Sequence, residues 1–326
     1  MPHKIIALLK DGNTHSGVEL GRALKITRSA VSKQIAKLKE MGFEVECVKG
    51  VGYRIAMPFD QLDASAIKSF FAKTALDFIP ELDVLWSIPS TNDYVASKIK
   101  NGEVTSSGFV CVAEHQSAGR GRRGKLWASP LGGGLYLSLA WRFEQGAESL
   151  EGFSLSVAMA IIKKLEQQFL IKNLKIKWPN DIFLDEKKVG GILIDVMGEA
   201  GGPCWVVVGV GLNIYGDALT ALSIDQPWTT LSAGAKKNIS RNQLASSIVV
   251  ALTENSHAYA SKGFEISEKE WNKYDVFYNK KVIVKMGEAE FFSGVSKGIS
   301  SAGGLIVESD GVRRVMKSGE VSLRGI

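Results

Sequence analysis

The sequence predicts an α+β protein of three domains: an N-terminal helix-turn-helix with a β-hairpin wing, a central mixed and largely antiparallel sheet, and a small C-terminal β-barrel. Three observations predict it. Residues 1–56 combine a helical spacing of apolar side chains with ten Lys or Arg against five Asp or Glu. In the middle of the chain, β-like runs follow one another across short turns instead of alternating strictly with helices, which argues for antiparallel pairing. Residues 274–326 hold five short β-like runs joined by tight turns, the pattern of a small barrel. The domains are read as 1–63, 64–273 and 274–326.

Composition narrows the class. A chain of 326 residues can fill two or three domains with at least one large core. Its 45% apolar and 23% charged residues are ordinary for a soluble globular protein. No window approaches the ~18 uninterrupted apolar residues of a membrane span, and the N-terminus has no apolar signal core, so a cytoplasmic location is expected. Cys47, Cys111 and Cys204 are odd in number and widely spaced, and read as reduced thiols. The four histidines (His3, His15, His115, His257) are scattered, which argues against a zinc site. Of the net charge of +6, residues 1–56 carry +5, an asymmetry that points to a polyanionic partner for this segment.

In the first domain, Ile5, Ile6, Leu8 and Leu9 mark a short amphipathic helix that ends at the turn signal Asp11-Gly12-Asn13. Gly17–Leu24 carries Leu20, Ala23 and Leu24 at helical spacing, and Lys25-Ile26 forms the turn. Thr27 can cap the next helix by accepting from an amide near Ala30. That helix puts Val31, Ile35 and Leu38 on one face. Thr27, Arg28, Ser29, Ser32, Lys33, Gln34 and Lys37 lie at its start and on its other faces, a set suited to the major groove of DNA. Gly42 ends it, and residues 43–55 read as the hairpin wing. A solvated basic face is the plain alternative; the charge excess and the motif together favour DNA.

After a linker from Met57-Pro58 to Asp63, the second domain shows strands over Val84–Ile88, Gly108–Ala113, Leu135–Trp141, Leu174–Trp178, Lys188–Val196 and Trp205–Ile214, and helices over Phe153–Phe169 and Arg241–Ala260. Its most informative stretch is Gln116-Ser117-Ala118-Gly119-Arg120-Gly121-Arg122-Arg123-Gly124-Lys125-Leu126-Trp127. Glycines let the backbone wrap a ligand, and Arg120, Arg122, Arg123 and Lys125 bring four cations to one turn. Gly119 to Gly124 satisfies the letters of the dinucleotide fingerprint G-x-G-x-x-G, but no helix follows to aim its amides at a pyrophosphate. The loop runs into Gly132-Gly133-Gly134 and a period-two strand, so an anion here would be held by guanidinium groups and loop amides.

This loop resembles the biotinyl-binding loop of biotin–protein ligases. Four further motifs support the match in the same order: Ser90-Thr91-Asn92, Lys177-Trp178-Pro179-Asn180-Asp181, Lys188-Val189-Gly190-Gly191-Ile192-Leu193 and Gly209-Val210-Gly211-Leu212-Asn213. The resemblance covers the whole chain and is to the larger, bifunctional class whose members also repress the biotin operon. It implies the sheet fold shared with lipoate ligases and class II aminoacyl-tRNA synthetases, and an SH3-like C-terminal barrel. It implies ATP and biotin as substrates with Mg²⁺, a biotin carboxyl carrier protein and operator DNA as partners, and a homodimer promoted by biotinyl-5′-AMP.

The chemistry fits these residues. A carboxylate must be activated by attack on the α-phosphate of ATP, so two anions meet and charge grows on the phosphoryl oxygens. Preorganised cations offset that. Lys188, Arg122 and Asp181 are the candidate catalytic residues, with Asp181 orienting the acceptor amine. For biotin the candidates are Ser90, Thr91, Asn92, Gln116, Gly119, Arg120, Gly121, Arg122, Lys188, Gly191, Ile192, Gly209 and Gly211. For ATP or adenylate they are Arg120, Arg122, Arg123, Lys125, Trp127, Lys177, Asn180, Lys188, Asn213 and Arg324, and the resemblance implies that Asn213 also helps hold Mg²⁺. Ser90-Thr91-Asn92 also serves as a plain helix cap, Trp127 as a core residue, and Lys188 alone as a solvent lysine after the Asp185-Glu186-Lys187 turn.

Residues Tyr215–Gln226 form a polar loop ahead of Trp228, where the family has a loop that orders over the adenylate; the residues here differ. In the third domain the strands are Lys281–Lys285, Ala289–Gly294, Gly304–Glu308, Val312–Met316 and Val321–Arg324, with Gly287 and Asp310-Gly311 at tight turns. Glu320 and Arg324 resemble family positions near ATP and the carrier. Two other readings share parts of this pattern: a lipoate–protein ligase, opposed by the arginine loop and the DNA module, and a non-catalytic small-molecule sensor, opposed by Lys188, Asn213 and the loop.

Overall fold

The computed structural model describes residues 2–55, 59–71, 81–198, 201–216, 226–286, 290–317 and 321–325. Met57-Pro58 of the linker, Gly287, Ala289, Glu320, the Arg324 side chain and residues 217–225 of the polar loop lie outside the described residues.

The N-terminal domain comprises α1 (Pro2–Leu9), α2 (Gly17–Leu24), α3 (Arg28–Glu40) and the antiparallel hairpin β1 (Val45–Val48) and β2 (Gly52–Ile55). Ser16 starts α2 with a capping box: its hydroxyl accepts from Glu19 N, and the Glu19 carboxylate accepts from Ser16 N. Lys25 ends α2 in the left-handed conformation (φ 55°), and Thr27 caps α3 by accepting from Ala30 N at 3.2 Å. Gly21 is required by close approach, since a Cβ there would lie 2.7 Å from the Ile26 carbonyl oxygen. Ile5, Ile6, Leu9, Leu20, Val31, Ile35 and Leu38 close the core.

That core continues into the central domain. Leu131 is buried in it, and Leu131 N donates to Met41 O at 2.8 Å. Phe59 packs edge-on to Phe43 (5.1 Å between centroids) and to Trp86 (6.4 Å). The C-terminus of α3 therefore rests on the segment that follows the arginine loop.

The central sheet has β3 (Leu82–Leu85), β4 (Val110–Ala113), β5 (Gly134–Phe143), β6 (Leu174–Lys177), β7 (Asp181–Leu184), β8 (Lys187–Gly198) and β9 (Cys204–Asn213) in the order β3-β4-β5-β9-β8-β7-β6. Every pairing is antiparallel except β3–β4. Period-two alternation assigns the two faces. Val110 and Val112 join the main core beneath α6 (Phe153–Phe169) and α8 (Arg241–Lys262), whereas Cys111 turns to the opposite side, under α5 (Thr91–Lys100). The linker is fixed by α4 (Ala64–Ser69) and by a buried ion pair: Arg241 NH1 lies 2.6 Å from Glu114 Oε2, with the side chains 1% and 2% exposed. Glu114 Oε1 accepts from Leu62 N at 2.6 Å, and Arg241 also donates to the carbonyls of Gly134 and Asp60.

Several element readings shift; among them, the strand expected over Ala289–Gly294 spans Glu290–Ile299. The strand expected over Val84–Ile88 spans Leu82–Leu85, with Ile88 left as an isolated bridge to Gln116. The helix that Ser90-Thr91-Asn92 was read as capping starts at Thr91, because Ser90 alone is the cap, accepting from Asp93 N. β7 was not anticipated: its tight turn into β8 uses Asp185 (φ 46°) and Glu186 (φ 64°) in place of the usual Gly or Asn.

The C-terminal domain follows α7 (Leu231–Gly234) and α9 (Glu268–Tyr274) in sequence. It is an antiparallel sheet of β10 (Lys281–Met286), β11 (Glu290–Ile299), β12 (Leu305–Ser309), β13 (Val312–Met316) and β14 (Val321–Gly325), ordered β13-β12-β11-β10-β14. A register shift between Ser296 and Ile299 bends β11. Trp178, at the end of β6, donates its indole N–H to Gly303 O at 3.0 Å and joins this domain to the catalytic sheet.

Candidate active site and nucleic-acid interface

The arginine loop is a compact turn. Gly121 N donates to Lys125 O at 2.6 Å, and Trp127 N donates to Gly119 O at 2.8 Å. Residues 122–125 close a tight turn, Lys125 N donating to Arg122 O at 3.2 Å, with Arg123 (φ 56°) and Gly124 (φ 71°) both at positive φ. Gly119 has no room for a side chain: a Cβ would sit 2.5 Å from Trp127 O. The loop is anchored to the segment between β3 and α5 by Ser117 N to Ile88 O (3.0 Å) and Ala118 N to Pro89 O (2.9 Å).

Beneath it lies a floor of glycines on β8 and β9. A Cβ on Gly211 would come 2.5 Å from Trp127 Cε2, and one on Gly191 would lie 3.3 Å from Trp127 Cζ3. A Cβ on Gly209 would lie 2.2 Å from Asn92 Oδ1. The indole and the Asn92 amide therefore rest directly on backbone, and a side chain at either glycine would displace them. Ile192 is buried beside this floor.

One edge of the site is neutral and polar. Ser90, Thr91 and Asn92 are buried at the start of α5. Thr91 N and Oγ1 both donate to Gln116 Oε1 (2.8 and 3.1 Å), and Gln116 Nε2 donates to Ser129 Oγ (2.9 Å). The Ser138 hydroxyl lies 2.8 Å from Thr91 Oγ1 and 2.6 Å from Asn92 Oδ1. Sequence reading missed Ser129 and Ser138, because a lone serine in an apolar strand gives no signal beyond its period-two position.

The other edge is charged. Lys188 Nζ lies 2.8 Å from Asp181 Oδ1, with side chains 15% and 18% exposed, and 5.4 Å from the Trp127 ring centroid. Arg122 NH1 donates to Asn180 Oδ1 at 3.3 Å, and Asn180 Nδ2 donates to Ile192 O at 2.7 Å. Burial and the neighbouring Arg123 charge lower the Arg122 pKa from its ordinary value, while Asp181 acts in the opposite direction. Lys188 also holds the segment before Trp228: its N–H donates to Pro227 O (3.1 Å) and its carbonyl accepts from Thr229 N (2.9 Å). Asn213 Nδ2 donates to Thr229 O at 3.3 Å. Trp228 packs over Gly216, where a Cβ would lie 2.5 Å from its ring.

The structure thus brings Lys188, Asp181, Asn180, Arg122, Trp127, Gly191 and Gly211 together. Arg123 and Lys125 are exposed at the loop tip, and Lys177 Nζ lies 5.8 Å from the Phe183 ring. Arg120 points elsewhere: its NH2 is 2.6 Å from Asp195 Oδ2 and 2.8 Å from Asp93 Oδ1, two carboxylates that sequence reading did not single out. On α3, Thr27, Arg28, Ser29, Ser32, Lys33 and Lys37 are exposed, and Gln34 is half-buried. Among the described residues no His, Cys, Asp and Glu group is arranged to hold a metal, and no helix is long and apolar enough to cross a membrane. Cys47, Cys111 and Cys204 are free thiols.

Comparison with known proteins places each part. Residues 84–213 match the biotin/lipoate A/B protein ligase family, residues 3–54 an HTH domain, and residues 277–324 the biotin protein ligase C-terminal domain. The chain is 37% identical over 324 residues to the bifunctional ligase/repressor BirA of Escherichia coli, covering 99% of this chain and 97% of that protein. It is 28% identical over 307 residues to BirA of Bacillus subtilis, covering 92% and 91%. In structure it is similar to the biotin protein ligase of Aquifex aeolicus solved with biotin and ATP: TM-score 0.64, 25% identity, 76% of this chain and 99% of that one.

Proposed function

This chain belongs to the family of bifunctional biotin ligase/repressors, and on that premise we propose that it is an ATP-dependent biotin–protein ligase that also represses transcription through its N-terminal domain. The observation that carries the reading is the pairing of a glycine floor with Lys188 and Arg122 at one edge and a neutral polar set at the other. Biotin has that polarity: an apolar bicycle, a neutral urea and an anionic valerate. We divide the chain at 63 and 273.

In the first half-reaction a valerate oxygen attacks the α-phosphorus of ATP. The bond from α-phosphorus to the bridging oxygen breaks, pyrophosphate leaves, and biotinyl-5′-AMP forms. Lys188 and Arg122, aided by Arg123 and Lys125, oppose the charge growing on the phosphoryl oxygens. Ser90, Thr91, Asn92 and Gln116 take the urea; Gly119, the Arg120 backbone and Gly121 wrap the ligand; Gly191, Gly209 and Gly211, with Ile192 beside them, act from beneath by seating the Trp127 indole and the Asn92 amide that face it. Trp127, Lys177, Asn180, Asn213 and Arg324 belong to the nucleotide side. In the second half-reaction a carrier lysine amine attacks the acyl carbon, AMP departs with the electron pair of the broken C–O bond, and the amine loses a proton. Because Asp181 already accepts from Lys188, it positions that lysine as well as facing the acceptor amine. Mg²⁺ would arrive with ATP, held mainly by phosphates and water. The Asn213 amide, whose nitrogen is used by Thr229 O, fits this by leaving a neutral oxygen for such an ion; bound there, Mg²⁺ would neutralise phosphate charge.

The acceptor is a biotin carboxyl carrier protein, and the protein works in the cytoplasm. For repression α3 enters the major groove of the operator. Reading two half-sites requires a two-fold dimer, which biotinyl-5′-AMP promotes by ordering the loops of the site before association. The direct test gives purified protein ATP with labelled biotin or lipoate. Biotinyl-adenylate is expected and lipoyl-adenylate is not; neither product would remove the ligase reading, and lipoyl-adenylate alone would replace it. Sedimentation with and without biotin plus ATP tests the dimer, which is expected to strengthen by a few kcal/mol at most.

A further inference from the structure

Asp195 lies on the part of β8 beyond its pairing with β7, where it is opposite Val207 of β9. Its Oδ2 receives Arg120 NH2 at 2.6 Å from the loop and Asn92 Nδ2 at 2.9 Å from α5. From Asn92 the polar contacts run unbroken through Ser138, Thr91, Gln116 and Ser129 to the Trp127 carbonyl. The circuit leaves the loop at Arg120 and re-enters at its two ends, Gln116 and Trp127.

A carboxylate accepts and never donates, so it sets the direction of such a chain. Asn92 must turn Nδ2 toward Asp195, which points its Oδ1 at Ser138. Ser138 has one proton and gives it to Asn92 at the shorter contact, 2.6 Å against 2.8 Å to Thr91. Thr91 gives its own hydroxyl proton to Gln116 Oε1 at 3.1 Å. Gln116 is fixed independently, because its Oε1 accepts the Thr91 backbone N–H, leaving Nε2 for Ser129. The donors and acceptors of the neutral edge are therefore polarised from Asp195 at one end and a backbone amide at the other. Arg120, meanwhile, faces two carboxylates, Asp93 and Asp195, which offset its charge.

We propose that Asp195 is a positioning residue for the ligand loop: it pins the loop through Arg120 and sets, through Asn92, the hydrogen-bond polarity presented to the ligand's neutral head. The Arg120 side chain is then an anchor, and Arg122 and Lys188 supply the charge facing phosphate. The functional half of this rests on the biotin ligase reading.

The test uses the full chain with Asp195→Asn, Asp195→Ala, Asp195→Glu and, from the exposed side of the same contact, Arg120→Gln. The loop carries its own probes, since trypsin cuts after Arg120, Arg122, Arg123 and Lys125. Without ligand, Asp195→Asn and Arg120→Gln should be cut in the loop roughly tenfold faster than the parent at an unchanged thermal midpoint, as local opening without global unfolding requires. In adenylate formation, Asp195→Asn should raise the KM for biotin roughly tenfold and change kcat by less than about twofold, the signature of weakened ground-state binding. Asp195→Glu should restore both. Loop cleavage and biotin KM at parental values in Asp195→Asn would overturn the proposal, as would a fall in kcat at constant KM. If Asp195→Asn does not fold, Arg120→Gln decides by the same two readouts. If the parent forms no biotinyl-adenylate, the ligase reading fails, while the cleavage rates still decide the anchor.

Discussion

Replacing Lys188 by Ala tests the charge at the reacting phosphate. Its ammonium is 15% exposed, 2.8 Å from Asp181 and 5.4 Å from the Trp127 ring, so water screens it only in part. At ~4 Å and an effective dielectric near 20, two unit charges interact by about 4 kcal/mol. If half to all of a charge develops on the phosphoryl oxygens, the loss is about 2–4 kcal/mol, or roughly 30-fold to 10³-fold in rate. The substitution also leaves the Asp181 carboxylate, 18% exposed, next to the incoming anions, which adds to the barrier. Lys188→Ala/Asp181→Asn should therefore recover part of the rate, a gain that a purely steric role for Lys188 does not produce. Rapid-quench measurement of pyrophosphate release from biotin and ATP reads the first half-reaction, and transfer from preformed adenylate reads the second. Pyrophosphate release within about threefold of the parent, in a folded variant, would refute the electrostatic role.

Four further outcomes follow from the geometry. Arg122→Gly removes a charged loop donor without touching the core, so adenylate should escape roughly 10–100-fold faster with little change in thermal midpoint; dissociation of labelled adenylate measures it. Arg28→Ala and Lys33→Ala, both on the exposed face of α3, should each make the salt dependence of operator binding shallower by about one unit for every phosphate no longer neutralised, read from binding isotherms across salt concentrations. Glu114→Ala leaves Arg241 buried without its counter-charge and should cost about 3–5 kcal/mol in chemical denaturation, whereas Glu114→Leu/Arg241→Met should regain much of it. His115 has its pKa lowered by burial, so the fold favours the neutral ring. The stability it contributes is present above the unfolded value near 6.5 and is lost as pH falls through the lower folded value; urea midpoints of the parent should drop across that window more than those of His115→Gln.

How much of this was legible in the sequence depends on which physics wrote it. Elements set by local rules were readable. Thr27 caps α3 as its hydroxyl allows, the Asp310-Gly311 turn has φ of 51° and 76°, and period two placed β5. β7 was not readable because, although Asp185-Glu186-Lys187 reads as a turn, the four residues Asp181–Leu184 before it are too short a run to show a period, and the strand is defined by its pairing with β6 and β8. In the site, composition flagged the residues but not their partners. Four cations in one loop look equivalent as letters, yet Arg120 meets Asp93 and Asp195, Arg122 meets Asn180, and Arg123 and Lys125 face solvent. Asp93 is 27 residues from Arg120 and Asp195 is 75 away, so only the fold could pair them. The glycines show the same division. Gly191 and Gly211 were read as biotin candidates, but that the group resting on them is Trp127, from the same loop as the cations, follows from β8 and β9 pairing Gly191 with Gly211. The sheet register thus converts separated motifs into one floor, and a one-residue slip would turn that floor to the opposite face.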